Sequence, residues 1–346
     1  MKTKIICTLG PASSRPETIR AMADAGMSVA RLNFSHGSHR DHQKLIDRIR
    51  LINAGRKEPI KIMQDLEGYR LRIGQLSRPV MLNPGDWFWM GRPKRACGSR
   101  EMKGLPLDAD VDMSSVKKGM NIFIADGTIA LEVAACRHAS MVVGQVRQGG
   151  RVTSKKGVNI PGLKLKENIL TDQDRRDIEF GISNKVDFVA QSFVRNKKDI
   201  QRVVNLVKPR LPAARVIAKI ENRSGVRNIE NIINACDGVM VARGDLGVSL
   251  PIYQLPVIQK AIIRLCNKKR KTDITATQML ESMTTHLRPT RAEVSDIANA
   301  ILDASDYVML SGETAVGRFP VACVSMMRQI IEFTEQHRRI DISKDF

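Results

Sequence analysis

The sequence predicts an α/β fold, a closed (β/α)8 barrel with a small all-β domain inserted after the third strand. Two observations carry this. Eight short runs rich in β-branched and apolar residues each precede a longer segment of helical periodicity, the pattern of a closed parallel barrel. The alternation is broken once, between the third run and the fourth, by a segment rich in Gly, Pro and Arg.

In chain order the strand runs are 4–9, 28–34, 60–66, 187–193, 215–220, 238–242, 273–277 and 307–310. The helical segments after them are 15–25, 41–54, 172–183, 199–211, 226–235, 255–269, 291–304 and 321–337. The interruption spans 69–156 and reads as short strands separated by turn signals, in VMLNPGDWFWMG, MNIFIADGTIALEVAACR and SMVVGQVRQGGRV, a small β-barrel or sandwich. The barrel domain is then 1–68 and 157–346, with 69–156 as a lid. The lid carries 15 Lys and Arg against 7 Asp and Glu, a net +8, which suits a basic cover over an anionic site.

A chain of 346 residues with 42% hydrophobic content can bury a large core. It has no apolar run near the roughly 20 residues that span a bilayer and no signal-peptide apolar region; a cytoplasmic protein is expected. Six cysteines, Cys7, Cys97, Cys136, Cys236, Cys266 and Cys323, are scattered singly without CxxC or metal-type spacing, so buried reduced thiols are expected. The net charge of +20 favours anionic partners. With 4% aromatics there is little for base stacking, and the basic residues sit among acids on amphipathic helices, so small anions are favoured over nucleic acid. A generally basic solvated surface explains the charge equally well.

In such barrels chemistry sits at the carboxyl ends of the strands. Those ends supply Arg31, Asn33, Ser35 and His36 after the second run, Asp65 after the third, and Gln191 and Ser192 after the fourth. Lys219 and Glu221 follow on the fifth, Arg243 and Asp245 on the sixth, Thr277 on the seventh, and Ser311 and Glu313 on the eighth. Any one of these reads as well as a loop hydrogen-bonder. Together they place costly charges on one rim, which calls for pairing with a ligand or metal. Glu221 and Asp245 follow adjacent strands, and two neighbouring carboxylates call for a cation, with magnesium the natural choice. Lys219 and Glu221 alternate, so both face the barrel interior; Lys219 is placed to neutralise a transferring phosphoryl or an enolate oxygen, or to form a structural ion pair with Glu221. The Gly244–Gly247 turn offers backbone amides to an anion.

The runs TKIICTLGPAS, GMSVARLNFSHG, SKKGVNIPG, VDFVAQSFVR, IAKIEN, DGVMVARGDLGV and ITATQMLESM, followed by RPTRAEVSDIANAILDASDYVMLSGETAVG, resemble pyruvate kinase in order and spacing over nearly the whole chain. The resemblance implies that Arg31 and Lys219 contact the phosphate of phosphoenolpyruvate, that Lys219 stabilises the transition state, and that Glu221 and Asp245 bind magnesium, with manganese as a substitute. It implies that the Gly244 and Asp245 amides and the Thr277 hydroxyl hold the substrate carboxylate, with Thr277 near the route of enolate protonation. It assigns Asn33, Ser35, Asp65 and the Leu66 carbonyl to a monovalent-cation site, and His36, Arg72 and Lys156, with Asn33, to nucleotide binding. The implied partners are phosphoenolpyruvate, ADP or ATP, pyruvate, and further copies of the chain through the barrel.

Three departures qualify this. DLEGYRLRIG keeps Asp65, Gly68 and Arg72 but places a cationic Arg70 where the family pairs an acidic residue with potassium dependence and a lysine with independence; Arg70 implies that potassium is not required. KKRKTDI precedes ITATQ in place of a Gly-Lys-Pro-Val-Ile type run. The chain stops at Phe346, where most relatives continue into a regulatory domain; that domain is expected to be absent, so sugar-phosphate control is not implied. The competing readings are a magnesium-dependent aldolase or lyase acting through an enolate on the same barrel, and a non-catalytic anion- or nucleic-acid-binding relative.

Overall fold

The computed structural model describes residues 1–92, 102–109, 111–125, 127–161, 163 and 170–337. It divides into two compact units: Met1–Gly68, Leu170–Arg243 and the described residues from Gln254 onward; and the described residues of Tyr69–Ile169 with Gly244–Tyr253.

The first unit begins β1 (Lys4–Thr8), α1 (Pro16–Ala25), β2 (Met27–Asn33), α2 (His39–Asn53) and β3 (Lys61–Asp65). Between β3 and the next helix lie β4 (Val80–Leu82), β5 (Trp87–Gly91), β6 (Lys103–Pro106), β7 (Asn121–Ile124), β8 (Ile129–His138), β9 (Met141–Gln148), β10 (Gly150–Val152) and β11 (Val158–Asn159). The barrel resumes with α3 (Asp172–Ser183), β12 (Phe188–Gln191), α4 (Lys197–Val207), β13 (Arg215–Ile220), α5 (Arg223–Arg227), α6 (Ile229–Asn234) and β14 (Gly238–Ala242). It finishes with α7 (Arg243–Ser249), α8 (Leu255–Lys269), β15 (Thr272–Ala276), α9 (Arg291–Leu302), β16 (Tyr307–Leu310), α10 (Gly312–Ala315) and α11 (Pro320–Gln336).

Eight parallel strands close in the order β1-β16-β15-β14-β13-β12-β3-β2, the barrel read from the sequence. Its interior is filled by side chains, among them Ile6, Val29, Met63, Phe188, Ala190, Ile217, Met240 and Ile274, so it is a packed core and not a pore. The outer helices present one apolar stripe inward: α4 buries Ile200, Val203 and Val207 at helical spacing. Their starts are fixed by side chains, as where Thr171 accepts from Asp174 N and Asp174 answers toward Thr171. The segment read as one helix over 226–235 is two, α5 and α6, meeting at Asn228, whose Nδ2 is drawn 2.9 Å from the Arg195 carbonyl.

The second unit is built on β-structure, with a six-stranded sheet β11-β7-β8-β9-β5-β6 and a two-stranded pair β10-β4. Its core gathers Leu71, Phe88, Met90, Leu131 and Val142. β11 lies beyond the boundary read at 156 because Val158 pairs with Ile124 of β7, and the unit also takes in Gly244–Tyr253.

Cys7, Cys236, Cys266 and Cys323 are buried free thiols as expected, whereas Cys136 is exposed. Register shifts flank it on β8, between Val133 and Ala135 and between Cys136 and His138, and such irregularities re-aim side chains. Cys97 lies outside the described residues. No helix among the described residues is long and apolar enough to cross a membrane.

Candidate functional site

Strand periodicity builds the site. Ile6, Val29, Met63, Ala190 and Ile217 all belong to the barrel interior. Residues two apart on a strand share a face, so the next inward positions toward the carboxyl ends are Thr8, Arg31, Asp65, Ser192 and Lys219. A polar layer thereby sits directly on the apolar one.

The layer is held together by charge. Arg31 Nε donates to Asp65 Oδ2 at 2.7 Å and its NH1 to Thr8 Oγ1 at 2.8 Å. Lys219 Nζ donates to Ser192 Oγ at 2.7 Å and lies 3.0 Å from Asp65 Oδ1 and 3.1 Å from Glu221 Oε1. Glu221 Oε2 accepts from the Phe193 amide at 2.6 Å. All four charged residues are buried, Arg31 and Lys219 at 8% exposure, Glu221 at 2% and Asp65 at 1%. Two cations face two carboxylates, and the cluster is neutral overall.

Electrostatics keeps Asp65 and Lys219 charged. Burial alone would raise the Asp65 pKa, but Lys219 and Arg31 outweigh it and hold the carboxyl below its usual range. Burial alone would likewise lower that of Lys219, yet Asp65 and then Glu221 raise it. An ammonium that stays protonated in a dry layer can stabilise developing anionic charge.

Ser192 links this cluster to its neighbour. Its hydroxyl accepts from Lys219 and donates to the Leu66 carbonyl at 2.7 Å. In the adjoining loop Asn33 Oδ1 accepts from Ser35 N at 3.2 Å, and His36 is exposed. Thr277 follows β15 with φ of +72° and its Oγ1 donates to the Ala276 carbonyl at 2.6 Å. In the second unit Asp245, in the first turn of α7, lies 3.0 Å through Oδ1 from Arg70 NH2, and Gly244 precedes it. An antiparallel bridge between Arg72 and Gly157, with Ile73 N donating to the Lys156 carbonyl at 2.8 Å, sets Arg72 and Lys156 on neighbouring backbone.

Two polar strand ends serve the fold. Glu313, fully buried, accepts from Leu280 N at 3.0 Å and Ser311 N at 2.7 Å. The Arg243 guanidinium turns onto the carbonyls of Ala276, Thr277 and Gln278. Thr8 and the linking role of Ser192 escaped the motif reading, although counting two residues past each interior apolar position finds both.

Glu221 in the first unit and Asp245 in the second each carry carboxylate oxygens, the donors that suit a hard divalent cation, and no set of three His, Cys, Asp or Glu among the described residues gathers into a metal cage. Magnesium characteristically takes one or two carboxylates and fills its other positions with water and substrate oxygens.

The family model that describes the barrel domain of pyruvate kinase matches residues 1–324. The chain is 44% identical to the pyruvate kinase of Geobacillus stearothermophilus, over 98% of this chain and 58% of that protein. It is 44% identical to that of Thermococcus litoralis, over 97% of this chain and 70% of that protein. With pyruvate kinase 2 of Synechocystis it shares 42% identity over 97% of this chain and 57% of that protein. The chain thus spans between 57% and 70% of the length of these relatives. A parallel eight-stranded barrel with this match along its length belongs to the pyruvate kinase family.

Proposed function

We propose that the chain is a pyruvate kinase, transferring the phosphoryl group of phosphoenolpyruvate to ADP in a magnesium-dependent reaction and releasing pyruvate and ATP. The observation that carries this reading is the buried Arg31–Asp65–Lys219–Glu221 cluster at the carboxyl ends of the barrel strands. Asp65 orients both cations at once, so the Arg31 fork and the Lys219 ammonium face one space. Arg31 binds and aligns the substrate phosphate. Lys219 lies along the path of charge, balancing the phosphoryl group as it transfers and the enolate oxygen it leaves.

Glu221 and Asp245 would hold magnesium, which when bound spreads the charge of the phosphoryl oxygens. The amides of Gly244 and Asp245 and the Thr277 hydroxyl hold the substrate carboxylate, and Thr277 orients the enolate for protonation at carbon. Exclusion of water from the site protects that enolate. His36, Asn33, Arg72 and Lys156 bind the nucleotide. Asn33, Ser35, Asp65 and the Leu66 carbonyl form the monovalent-cation set, with the fixed charge of Arg70 making potassium dispensable. The chain self-associates through the barrel.

A coupled assay of pyruvate formed from phosphoenolpyruvate, run across a panel of nucleoside diphosphates and cations, tests this. Turnover with ADP and magnesium is expected. Silence in every mixture, with the chain folded, overturns it.

A further inference from the structure

Thr277 and Gln278, immediately after β15, both occupy the left-handed backbone region, with φ of +72° and +52°. Threonine is β-branched and rarely found there, and two consecutive side-chain-bearing residues in that region carry a conformational cost that their surroundings must offset.

Arg243 is placed to offset it. It sits at the end of β14, the barrel neighbour of β15, and is 7% exposed. Its Nε lies 3.2 Å from the carbonyl oxygens of both Ala276 and Thr277, and its NH2 donates to Thr277 O at 2.6 Å and Gln278 O at 3.2 Å. NH1 is anchored behind by Gln259 Oε1 at 3.4 Å and by an ion pair with Asp296. Three successive carbonyls therefore converge on one guanidinium whose donors are all engaged, which leaves it little capacity to bind a ligand directly. The Thr277 hydroxyl donates to the Ala276 carbonyl, so the group that Arg243 fixes is also the one that aims that hydroxyl.

We propose that Arg243 is a positioning residue for Thr277, its planar fork locking the left-handed Thr277–Gln278 turn so that the Thr277 hydroxyl faces the substrate. The role of the hydroxyl rests on the pyruvate kinase reading; the locking of the turn does not. A lysine, with a point charge in place of a fork, cannot hold three carbonyls at once.

The test is Arg243→Lys in the full chain, with hydrogen exchange and steady-state kinetics read together. Hydrogen exchange should quicken in the peptide covering 277–280 and stay unchanged across the remaining barrel strands. Turnover should fall about a hundredfold, as misplacement of a reacting group by about 1 Å does, with KM for phosphoenolpyruvate moving far less. Adding Thr277→Ala to Arg243→Lys should cost little more, because both changes remove the same function. Gln278→Gly, at an exposed position, makes the left-handed turn easy to adopt and should restore part of the turnover of the lysine variant. Multiplicative losses, or no rescue by glycine, would reduce Arg243 to a structural tie and overturn the proposal. Unchanged exchange at 277–280 would overturn the locking itself, even in a chain without kinase activity. Should Arg243→Lys not fold, Asp296→Asn loosens the same guanidinium and is read by the same exchange and rescue criteria.

Discussion

Replacing Lys219 by methionine removes one of two cations from the buried cluster and leaves Arg31 alone against Asp65 and Glu221, so the four positions pass from neutral to a net charge of −1. The lost contacts, at 3.0 and 3.1 Å, each represent a gross attraction on the order of 5 kcal/mol at an effective dielectric near 20. Desolvation of the ammonium offsets much of that, and breaking a buried pair costs about 3–5 kcal/mol in practice. Lys219→Met is therefore expected to lose stability as well as turnover, the latter by roughly 10³-fold or more if Lys219 balances the charge that develops during transfer. Adding Asp65→Asn separates the two effects, since Arg31 and Glu221 are then the charged members left and neutrality returns. Urea denaturation of the double variant should recover much of the lost stability while the coupled assay stays silent. Near-normal turnover in Lys219→Met would refute the catalytic role, and a double variant no more stable than the single would refute the charge-balance argument.

Ser192→Ala removes the hydroxyl between Lys219 and the Leu66 carbonyl; a stability loss of about 1–3 kcal/mol and a fall in kcat are expected, and a variant unaltered in both would exclude that link. Asp273, fully buried, accepts from Ser305 Oγ at 2.6 Å through Oδ1. Burial, with Asp306 adding to it, pushes its carboxyl up from 3.8 to about 7. The folded state then holds this proton longer than the unfolded chain does, so its contribution is fully present below the unfolded value of 3.8 and is lost as pH rises through about 7, at up to about 1.4 kcal/mol per pH unit. Asp273→Asn should flatten that decline, and identical pH slopes of urea midpoints in wild type and variant would contradict it. With Arg70 supplying the positive charge, turnover in sodium-free buffer should be the same with and without potassium; a strong requirement would overturn that reading.

The barrel was legible because its signal is repeated and local. The runs at 215–220, 238–242 and 307–310 match β13, β14 and β16 to the residue, and alternation along β13 put Lys219 on the inner face. What a strand end does once it arrives was less legible. Arg243 and Glu313 carry the same chemistry as Lys219 and Glu221, yet they satisfy backbone carbonyls and amides, a choice made by neighbours remote in the chain. Asp65 was read as a monovalent-cation ligand, and its contacts with Arg31 and Lys219 depend on β3 being separated from β13 by β12 in the barrel order. The exposure of Cys136 turned on register shifts in β8, which leave no trace in composition.

The charge of the cluster bears on how an anion is chosen. The chain as a whole carries +20, which draws anions toward it without discrimination. The cluster carries none of that surplus, since each buried cation already has a carboxylate beside it. A phosphate ester entering such a layer brings uncompensated negative charge into low dielectric, a cost that the two paired cations cannot cancel. Occupancy therefore becomes favourable only when a further cation enters with the ligand. A cluster with surplus positive charge would bind phosphate in the absence of metal and be inhibited by every passing anion. A neutral one couples substrate binding to metal binding, so the affinity of the chain for phosphoenolpyruvate, measured by calorimetry, should rise by at least about tenfold on adding magnesium, and equal affinity with and without the metal would refute the coupling.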